Sequence, residues 1–336
     1  MKKFMNDPHS YVEDYLKGIL SAHGDLYTLS EENERALCLK HPTPGKVAIV
    51  TGGGSGHLPL FLGYVGHGLA DACAVGNVFA SPSCFAMVEA ARAVDTGAGV
   101  LYLFGNYGGD RMNFDMAAEE LSDDGVAVEQ VWCNDDVASA PPEKAESRRG
   151  VAGILFAYKC AGAAAKRMLP LEEVTRIARK TVANVRSMGV ALSACTLPEI
   201  GHPSFTIEED EMELGMGIHG EPGIERGKIM SADQVAQVLT DHVLGDMDYP
   251  AGSRVAVLIN LLGATALEEG YIVYGKVHEL LKAKGLEPVK VLVGEYSTSM
   301  EMAGLSLSVL KLDEELESLL NDEAHSPFVK FEKDWR

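Results

Sequence analysis

The order of short apolar segments and longer amphipathic segments constrains the fold of this chain most strongly. In the first half, the segments "KVAIV", "GVLYLF" and "VAVEQVW" have the length and composition of buried strands. Helical periodicity appears in "YVEDYLKGIL", "RMNFDMAAEEL", "GVAGILFAYKCAGAAAKRM" and "LEEVTRIARKTVANVRSM". Because strands that alternate with helices usually form a parallel sheet covered on both faces, the first half is predicted to be an α/β unit.

The pattern changes after Gly189. Two predicted strands, "VALSACTL" and "EMELGMGIHG", follow each other with no helix between them, and the helix "SADQVAQVLTDHV" comes next. The strands "RVAVLIN", "VKVLVGE" and "LSLSVLKL" and the helix "ALEEGYIVYGKVHELLKAK" complete a second unit. The sequence therefore predicts two α/β domains, residues 1–188 and 189–336, each with a mainly parallel or mixed sheet flanked by helices.

Charge and composition exclude several classes of partner. The formal net charge is −20, from 49 acidic and 29 basic residues, and such a surface repels nucleic acid and anionic lipid. No basic-apolar leader and no long apolar run is visible. The six cysteines lack CxxC spacing and lie mostly in apolar segments, which indicates buried reduced thiols. We expect a soluble cytoplasmic protein with neither a nucleic-acid nor a membrane partner.

A glycine-rich segment, "VTGGGSGHLP", follows the first predicted strand. Ligands of parallel α/β sheets bind at the carboxyl ends of strands, and Gly54, Ser55 and Gly56 would let backbone N–H groups approach a ligand closely beside His57. The segment lacks the Gly-Lys-Ser/Thr ending of a nucleotide loop, and His57 takes the place of the last glycine of the dinucleotide pattern. A tight structural turn followed by a surface histidine is the alternative interpretation.

A second loop, "GNYGGD", follows the next predicted strand and ends in Asp110. If the two strands are neighbours, Asp110 lies beside the first loop. An aspartate at this place could cap the helix that follows by accepting backbone N–H bonds. Together with His57 it could instead form an acid–base pair, because a carboxylate that accepts a hydrogen bond from imidazole orients the ring and raises its basicity.

The segment "GMGIHGEPGIER" sets His219 among glycines. If the strand continues through it, Gly215, Gly217 and His219 share one face, which leaves space beside the ring and favours a ligand-facing histidine over a core one. Such an imidazole can bind a metal, take a proton or attack an electrophile. No HxxxH or HExxH spacing surrounds it, so metal binding is the weakest of these options. Attack on a ketone would give a hemiaminal and would select ketones over polyols of similar shape.

The combination of these motifs resembles the sugar-binding subunit of the dihydroxyacetone kinase family. The resemblance covers nearly the whole chain and includes "GGGSGH", "NVFASP", "NYGGDRMNF", "RRGVAG", "GMGIHGEPGIER", "INLLGAT" and "STSMEMAGLSLSVLKLD". It implies that His219 binds the ketone covalently as a hemiaminal, and that His57 and Asp110 activate the substrate hydroxyl for phosphoryl transfer. It also implies sugar contacts from Gly54, Ser55 and Gly56, with Ser81 of "FASPS" close by.

The same resemblance implies partners and cofactors. Members of the family are two-domain homodimers with the ketose near the domain interface. A separate helical subunit carries ADP or ATP with magnesium, and in the phosphotransferase-system version a phosphocarrier protein supplies phosphate to that nucleotide. Other members fuse the helical domain into a longer chain. Because this chain stops at Arg336, we expect it to bind neither cofactor nor metal itself and to receive phosphate from a partner.

Two departures from the family pattern bear on the substrate. Leu58 stands where dihydroxyacetone-binding members carry glutamate, and Gly105 stands where they carry a lysine that helps to hold the substrate. The loss of that side chain predicts a site that accepts a four-carbon ketose such as erythrulose. Asn106 or Ser81 could serve the additional hydroxyl.

Two further functions compete with a kinase subunit that transfers phosphate to an alcohol. One is a non-catalytic ketose sensor that acts as coactivator of a transcription factor, which would keep His219 but need not keep the acid–base pair. The other is an unrelated nucleotide-binding α/β enzyme. The presence of both His57 and Asp110 favours the kinase subunit.

Overall fold

The computed structural model describes residues 2–203 and 205–335, which form two six-stranded sheets. The first sheet has the order β1-β2-β4-β3-β5-β6, and its last four strands are parallel whereas β1 and β2 run antiparallel to their neighbours. Its strands are β1 (Tyr27–Leu29), β2 (Ala36–Leu39), β3 (Ala48–Ser55), β4 (Ala72–Val78), β5 (Val100–Gly105) and β6 (Val128–Cys133).

The second sheet has the order β11-β10-β12-β7-β8-β9, in which β10 and β11 are parallel and every other pair is antiparallel. Both sheets are therefore mixed, and the predicted fold class is confirmed. The strands are β7 (Val185–Ala191), β8 (Glu211–Leu214), β9 (Glu225–Lys228), β10 (Arg254–Leu261), β11 (Glu287–Gly294) and β12 (Gly304–Lys311), and a short hairpin near the C-terminus is formed by β13 (Ala324–His325) and β14 (Lys330–Phe331).

Helices separate and cover the two sheets. They are α1 (Tyr11–His23), α2 (Cys84–Val94), α3 (Gly108–Asp123), α4 (Ile154–Lys166), α5 (Leu171–Asn184), α6 (Ala232–Gly245), α7 (Leu267–Ala283) and α8 (Glu314–Leu320). The outer face of the first sheet packs on α2 and α3, and the outer face of the second packs on α6 and α7. The inner faces of both sheets pack on the same layer of α4 and α5. One apolar core thus joins the two halves and holds their loops in a fixed relation.

The transition between the halves occurs inside a predicted helix. The helical spacing of "LEEVTRIARKTVANVRSM" predicts a helix to Met188, but α5 ends at Asn184 and β7 begins at Val185. The residues Val185–Ala191 pair antiparallel with β12, and a partner more than 100 residues away leaves no trace in local periodicity. The predicted boundary between residues 188 and 189 falls within β7, so the division into domains stays a prediction.

Other elements of the first half were not predicted. The hairpin of β1 and β2 and the strand β4 lie outside the segments that the apolar pattern marked. Five of the six cysteines are buried, and Cys84 is half-exposed. No helix among the described residues combines the length and apolar character needed to cross a bilayer.

Candidate active site

The carboxyl ends of three parallel strands bring several aromatic and ionisable side chains together. His57 follows β3, Phe79 follows β4 and Tyr107 follows β5. The ring of His219, from the second half of the chain, lies 4.8 Å from His57, 5.3 Å from Phe79 and 4.7 Å from Tyr107, measured between ring centroids. Ligands of parallel α/β sheets bind at this edge, so the arrangement marks a candidate site where the halves meet.

The glycines of the first motif belong to strand β3 and not to the predicted turn. Gly52, Gly53 and Gly54 pair with β4, and the turn comes at Gly56, whose φ is +99°. A Cβ atom at Gly53 would lie 2.2 Å from the Phe61 ring, and one at Gly54 would lie 2.7 Å from the Ala80 nitrogen. The absence of side chains at these glycines therefore lets Phe61 and Ala80 pack closely against β3, just before the turn that carries His57.

His57 is fully buried, so the alternative of a surface histidine is wrong. Its Nδ1 lies 2.7 Å from the Thr298 carbonyl oxygen, and its ring stacks on Phe79 at 4.7 Å. Because a carbonyl only accepts hydrogen bonds, Nδ1 carries the proton and the lone pair is on Nε2, which is buried without a partner. Burial and the neighbouring His219 lower the pKa of His57 to about 3, so its ring is neutral at physiological pH.

Asp110 is the third residue of α3, whose N-cap position is held by Tyr107. The alternative of Asp110 as the N-cap is therefore wrong. Burial raises the pKa of this carboxyl to about 6, although a hydrogen bond with Ser81 and the charge of His219 both act in the opposite direction. Its Oδ1 is buried without a partner. The Nδ1 of His57 is bound to Thr298, so among the described residues Asp110 is not the hydrogen-bonded orienter of His57.

His219 lies in a turn beyond the end of β8. The strand ends at Leu214, and Gly215 has a φ of +76°, so the alternation used to assign faces does not extend to His219. The Gly220 nitrogen donates to the Gly217 carbonyl and closes the turn. The His219 side chain is nevertheless 21% exposed and faces the other rings. The Glu221 carboxylate occupies the space that a side chain at Gly217 would take, because a Cβ at Gly217 would lie 2.1 Å from Glu221 Oε2.

A loop after β11 fixes both histidine-bearing turns. The backbone nitrogens of Thr298 and Met300 donate to the carbonyls of His57 and Gly56 at 3.2 and 2.8 Å. The Ser299 hydroxyl donates to the Ile218 carbonyl at 2.5 Å. Consecutive residues of one loop therefore set the position of His57 relative to His219, which is the geometry that a shared substrate requires.

The family model of the Dak1 domain matches residues 17–328. The chain belongs to the Dak1 family. Among curated relatives, it is 47% identical to the dihydroxyacetone-binding subunit DhaK of the PTS-dependent dihydroxyacetone kinase 2 of Listeria innocua, over 98% of this chain and 99% of the relative. It is also 45% identical to the D-erythrulose kinase of Mycolicibacterium smegmatis, over 98% of this chain and 57% of that enzyme.

Solved structures share the Dak1 fold. The dihydroxyacetone kinase from C. freundii in complex with AMP-PNP and Mg²⁺ matches with a TM-score of 0.90 and 32% identity, over 98% of this chain and 61% of that one. The dihydroxyacetone kinase operon co-activator Dha-DhaQ matches with a TM-score of 0.89 and 30% identity, over 96% and 99%. The fold therefore occurs both in a kinase that binds nucleotide with magnesium and in a co-activator.

The remaining residues predicted for this Dak1 site occupy different surroundings. Ser81 lies at the site through its bond to Asp110. The Ser55 hydroxyl is buried and contacts the Gly76 carbonyl and Tyr15. Asn106 uses its amide group to donate to the carbonyls of Glu146 and Arg148, so it is not free to donate to a substrate hydroxyl.

The structure also shows the surroundings of the two residues that depart from the family pattern. Leu58 packs against the apolar core between the sheets. A Cβ at Gly105 would lie 3.3 Å from the Tyr107 ring, so part of the volume freed by this glycine borders that ring. The four-carbon preference stays a prediction.

Sequence reasoning missed the roles of several residues, namely Phe79, Tyr107, Glu221, Arg149 and Thr298. Each lies in or beside a motif that carries the family resemblance, such as "NVFASP", "NYGGDRMNF", "RRGVAG" or "GMGIHGEPGIER". Their place in these motifs is a sequence signal that could have marked all five residues as candidates for the site. In the part of the chain that the structure describes, no group of three or more His, Cys, Asp or Glu side chains is arranged to hold a metal ion.

Proposed function

We propose that this chain is the ketose-binding subunit of a dihydroxyacetone-type kinase, and that His219 binds the ketone covalently. One observation carries the proposal: His57 Nε2, Asp110 Oδ1 and Tyr107 Oη are all buried without a hydrogen-bond partner, close to the His219 ring. Each such group costs about 1–3 kcal/mol when it is left unpaired. A small polyhydroxylated molecule would satisfy all three.

Division of labour between the two imidazoles follows from their hydrogen bonds. His219 is partly exposed, and its Nδ1 lies 3.0 Å from Glu221, so its other ring nitrogen is available to attack a carbonyl carbon. His57 has its lone pair on Nε2, which has no partner and can accept a proton from a substrate hydroxyl as that hydroxyl attacks phosphate. Asp110, with its raised pKa, serves as the second proton-handling group.

The phosphoryl donor in this proposal is a nucleotide with magnesium on a helical partner subunit. The full-length match to a PTS-dependent kinase subunit supports a separate partner and a phosphocarrier as the ultimate source of phosphate. The strongly acidic surface is unsuited to phosphate-rich ligands away from the site. A homodimer in the cytoplasm, as the family resemblance implies, completes the proposal.

A ketose-sensing co-activator is the second candidate, and the similarity to Dha-DhaQ favours it. The two functions differ at His57 and Asp110, because a sensor needs the covalent histidine but no proton transfer. Single-turnover phosphorylation of bound ketose by a cognate nucleotide subunit separates them: transfer supports the kinase, and complete absence of transfer with intact ketone binding supports the sensor.

Replacement of His219 by alanine tests the covalent assignment. Intact mass spectrometry after rapid desalting should show the wild type heavier by the whole mass of the ketone, because a hemiaminal forms without loss of water. His219→Ala should lose this adduct and remain folded, since the ring faces the site and not the core. His242→Ala, at an exposed histidine of α6, is the matched control and should keep the adduct. An adduct of unchanged occupancy in His219→Ala would refute the assignment.

A further inference from the structure

The Glu221 carboxylate holds His219 at two points. Its Oε1 lies 3.0 Å from the ring Nδ1, and its Oε2 accepts from the backbone nitrogen of His219 at 3.0 Å. An ionised carboxylate only accepts hydrogen bonds. The ring must therefore carry its proton on Nδ1 to make this bond, and the neutral imidazole then has its lone pair on Nε2.

Further residues hold Glu221 itself in place. Arg149 Nη1 lies 3.9 Å from Glu221 Oε2, while Arg149 Nε donates to Asp136 at 2.9 Å and Nη2 donates to the Gly215 carbonyl at 2.9 Å. The absence of a side chain at Gly217 is required for this approach, because a Cβ there would lie 2.1 Å from Glu221 Oε2 and 2.5 Å from Arg149 Nη1. Gly217 thus makes room for the Glu221 carboxylate and the Arg149 guanidinium.

The charge state of Glu221 agrees with this geometry. Burial alone would raise the pKa of the carboxyl, but the hydrogen bond with His219, the charge that this ring carries when it is protonated, a backbone hydrogen bond and the charge of Arg149 outweigh burial and lower the pKa to about 2. Glu221 is therefore an anion, and an acceptor only, at every pH at which the protein would act.

We propose that Glu221 is a positioning residue that fixes the tautomer of His219 and presents its Nε2 lone pair to the ketone. The inference rests on the proposed function. Attack forms a bond between Nε2 and the carbonyl carbon, and the π electron pair of the carbonyl moves to oxygen, which takes up a proton. The oxygen takes its proton from water, and the ring stays positively charged until it releases its Nδ1 proton to water, so one proton is gained and one is lost. The carboxylate stabilises that transient charge.

A purely structural role for Glu221, in which Oε2 only ties the turn through the backbone of His219, makes different predictions. It requires no particular tautomer. Glu221→Gln keeps an oxygen that can accept from the backbone but removes the charge and allows the amide to donate to Nδ1, which would shift the proton to Nε2. Gly217→Ala leaves Glu221 chemically intact and displaces its carboxylate by steric contact. Glu225→Gln, at an exposed residue of β9, is the matched control.

Two measurements on the full chain test the inference. The first is the rate constant of adduct formation with dihydroxyacetone, followed by intact mass. We expect a decrease of about 10- to 100-fold in Glu221→Gln and in Gly217→Ala, the range found when the hydrogen-bond partner of a metal-binding histidine is removed, and no change in Glu225→Gln. Glu221→Asp should lie between wild type and Glu221→Gln, because the shorter carboxylate keeps its charge but loses reach.

The second measurement is the ¹⁵N spectrum of the imidazole nitrogens, with His219 assigned by comparison with His219→Ala. The wild type should show a protonated Nδ1 and an unprotonated Nε2, and this signature should be lost in Glu221→Gln and Gly217→Ala. Unchanged tautomer and unchanged adduct rate in both variants would overturn the inference. If instead the wild type forms no adduct through His219, the proposed function fails, and the tautomer spectra still decide the positioning role of Glu221.

Discussion

Replacement of Asp110 by asparagine should make this protein more stable and less active at the same time. The carboxyl is 6% exposed at the start of α3, and burial raises its pKa from 3.8 to about 6. A difference of about two pKa units corresponds to about 3 kcal/mol, at 1.36 kcal/mol per unit, by which the fold disfavours the ionised carboxylate. Asparagine has nearly the same shape and no charge, so it removes this destabilisation.

The pH dependence has a definite sign. Because the folded pKa lies above the unfolded value, the folded chain binds the proton more tightly, and stability falls as pH rises from about 4 to about 6. Asp110→Asn should therefore exceed the wild type by about 1–3 kcal/mol above pH 6, the lower end allowing for an unpaired buried amide. The difference should disappear toward pH 4, where the wild-type carboxyl is protonated.

Denaturant midpoints and melting temperatures of wild type and variant, measured at several pH values between 4 and 8, test the prediction. Asp115→Asn is the control, because Asp115 is exposed on the same helix and its replacement should change stability by less than about 0.5 kcal/mol. In the reconstituted kinase, Asp110→Asn should retain ketone binding and lose at least about 10²-fold in phosphoryl transfer. A variant that is no more stable than wild type at pH 8, or one whose advantage does not depend on pH, would refute the reasoning.

Two further predictions concern the chemistry and the substrate. His57→Asn should leave the ketone adduct on His219 largely intact and slow single-turnover phosphoryl transfer by about 10²-fold or more; near wild-type transfer would remove His57 from the acid–base role. The kcat/KM for dihydroxyacetone should not exceed that for erythrulose by more than tenfold. Gly105→Lys should shift the ratio of the two values toward dihydroxyacetone by about 10- to 200-fold. Gly105→Ala is the control for displacement of the Tyr107 ring, which a Cβ would approach to 3.3 Å; an equal shift in both variants would assign the effect to that ring and not to the restored charge.

Local sequence patterns predict the strands and helices whose signal lies within a few neighbouring residues. The buried strands β3, β5, β10 and β12 and the helices α3, α4, α6 and α7 coincide with segments marked by apolar content or helical spacing, apart from shifts at their ends. The sequence also predicts His57, Asp110 and His219 as site residues, because glycine-rich segments beside them and the family motifs single them out. A strand or helix repeats its pattern along the chain, so its presence needs no knowledge of distant residues.

Only the tertiary structure determines which of these residues contact one another and how those contacts set their protonation. The switch from α5 to β7 depends on pairing with β12, and the extension of β3 through its glycines depends on pairing with β4. The bond from His57 to Thr298 spans 241 positions, and the alignment of Arg149 with Glu221 depends on a close approach at Gly217. Strand alternation does not extend to His219, since β8 ends before it, and the turn that follows brings its ring beside those of His57 and Tyr107. Proton positions and ionisation states follow from burial and from the partner at the other end of each hydrogen bond, and the chain brings those partners together only when it folds.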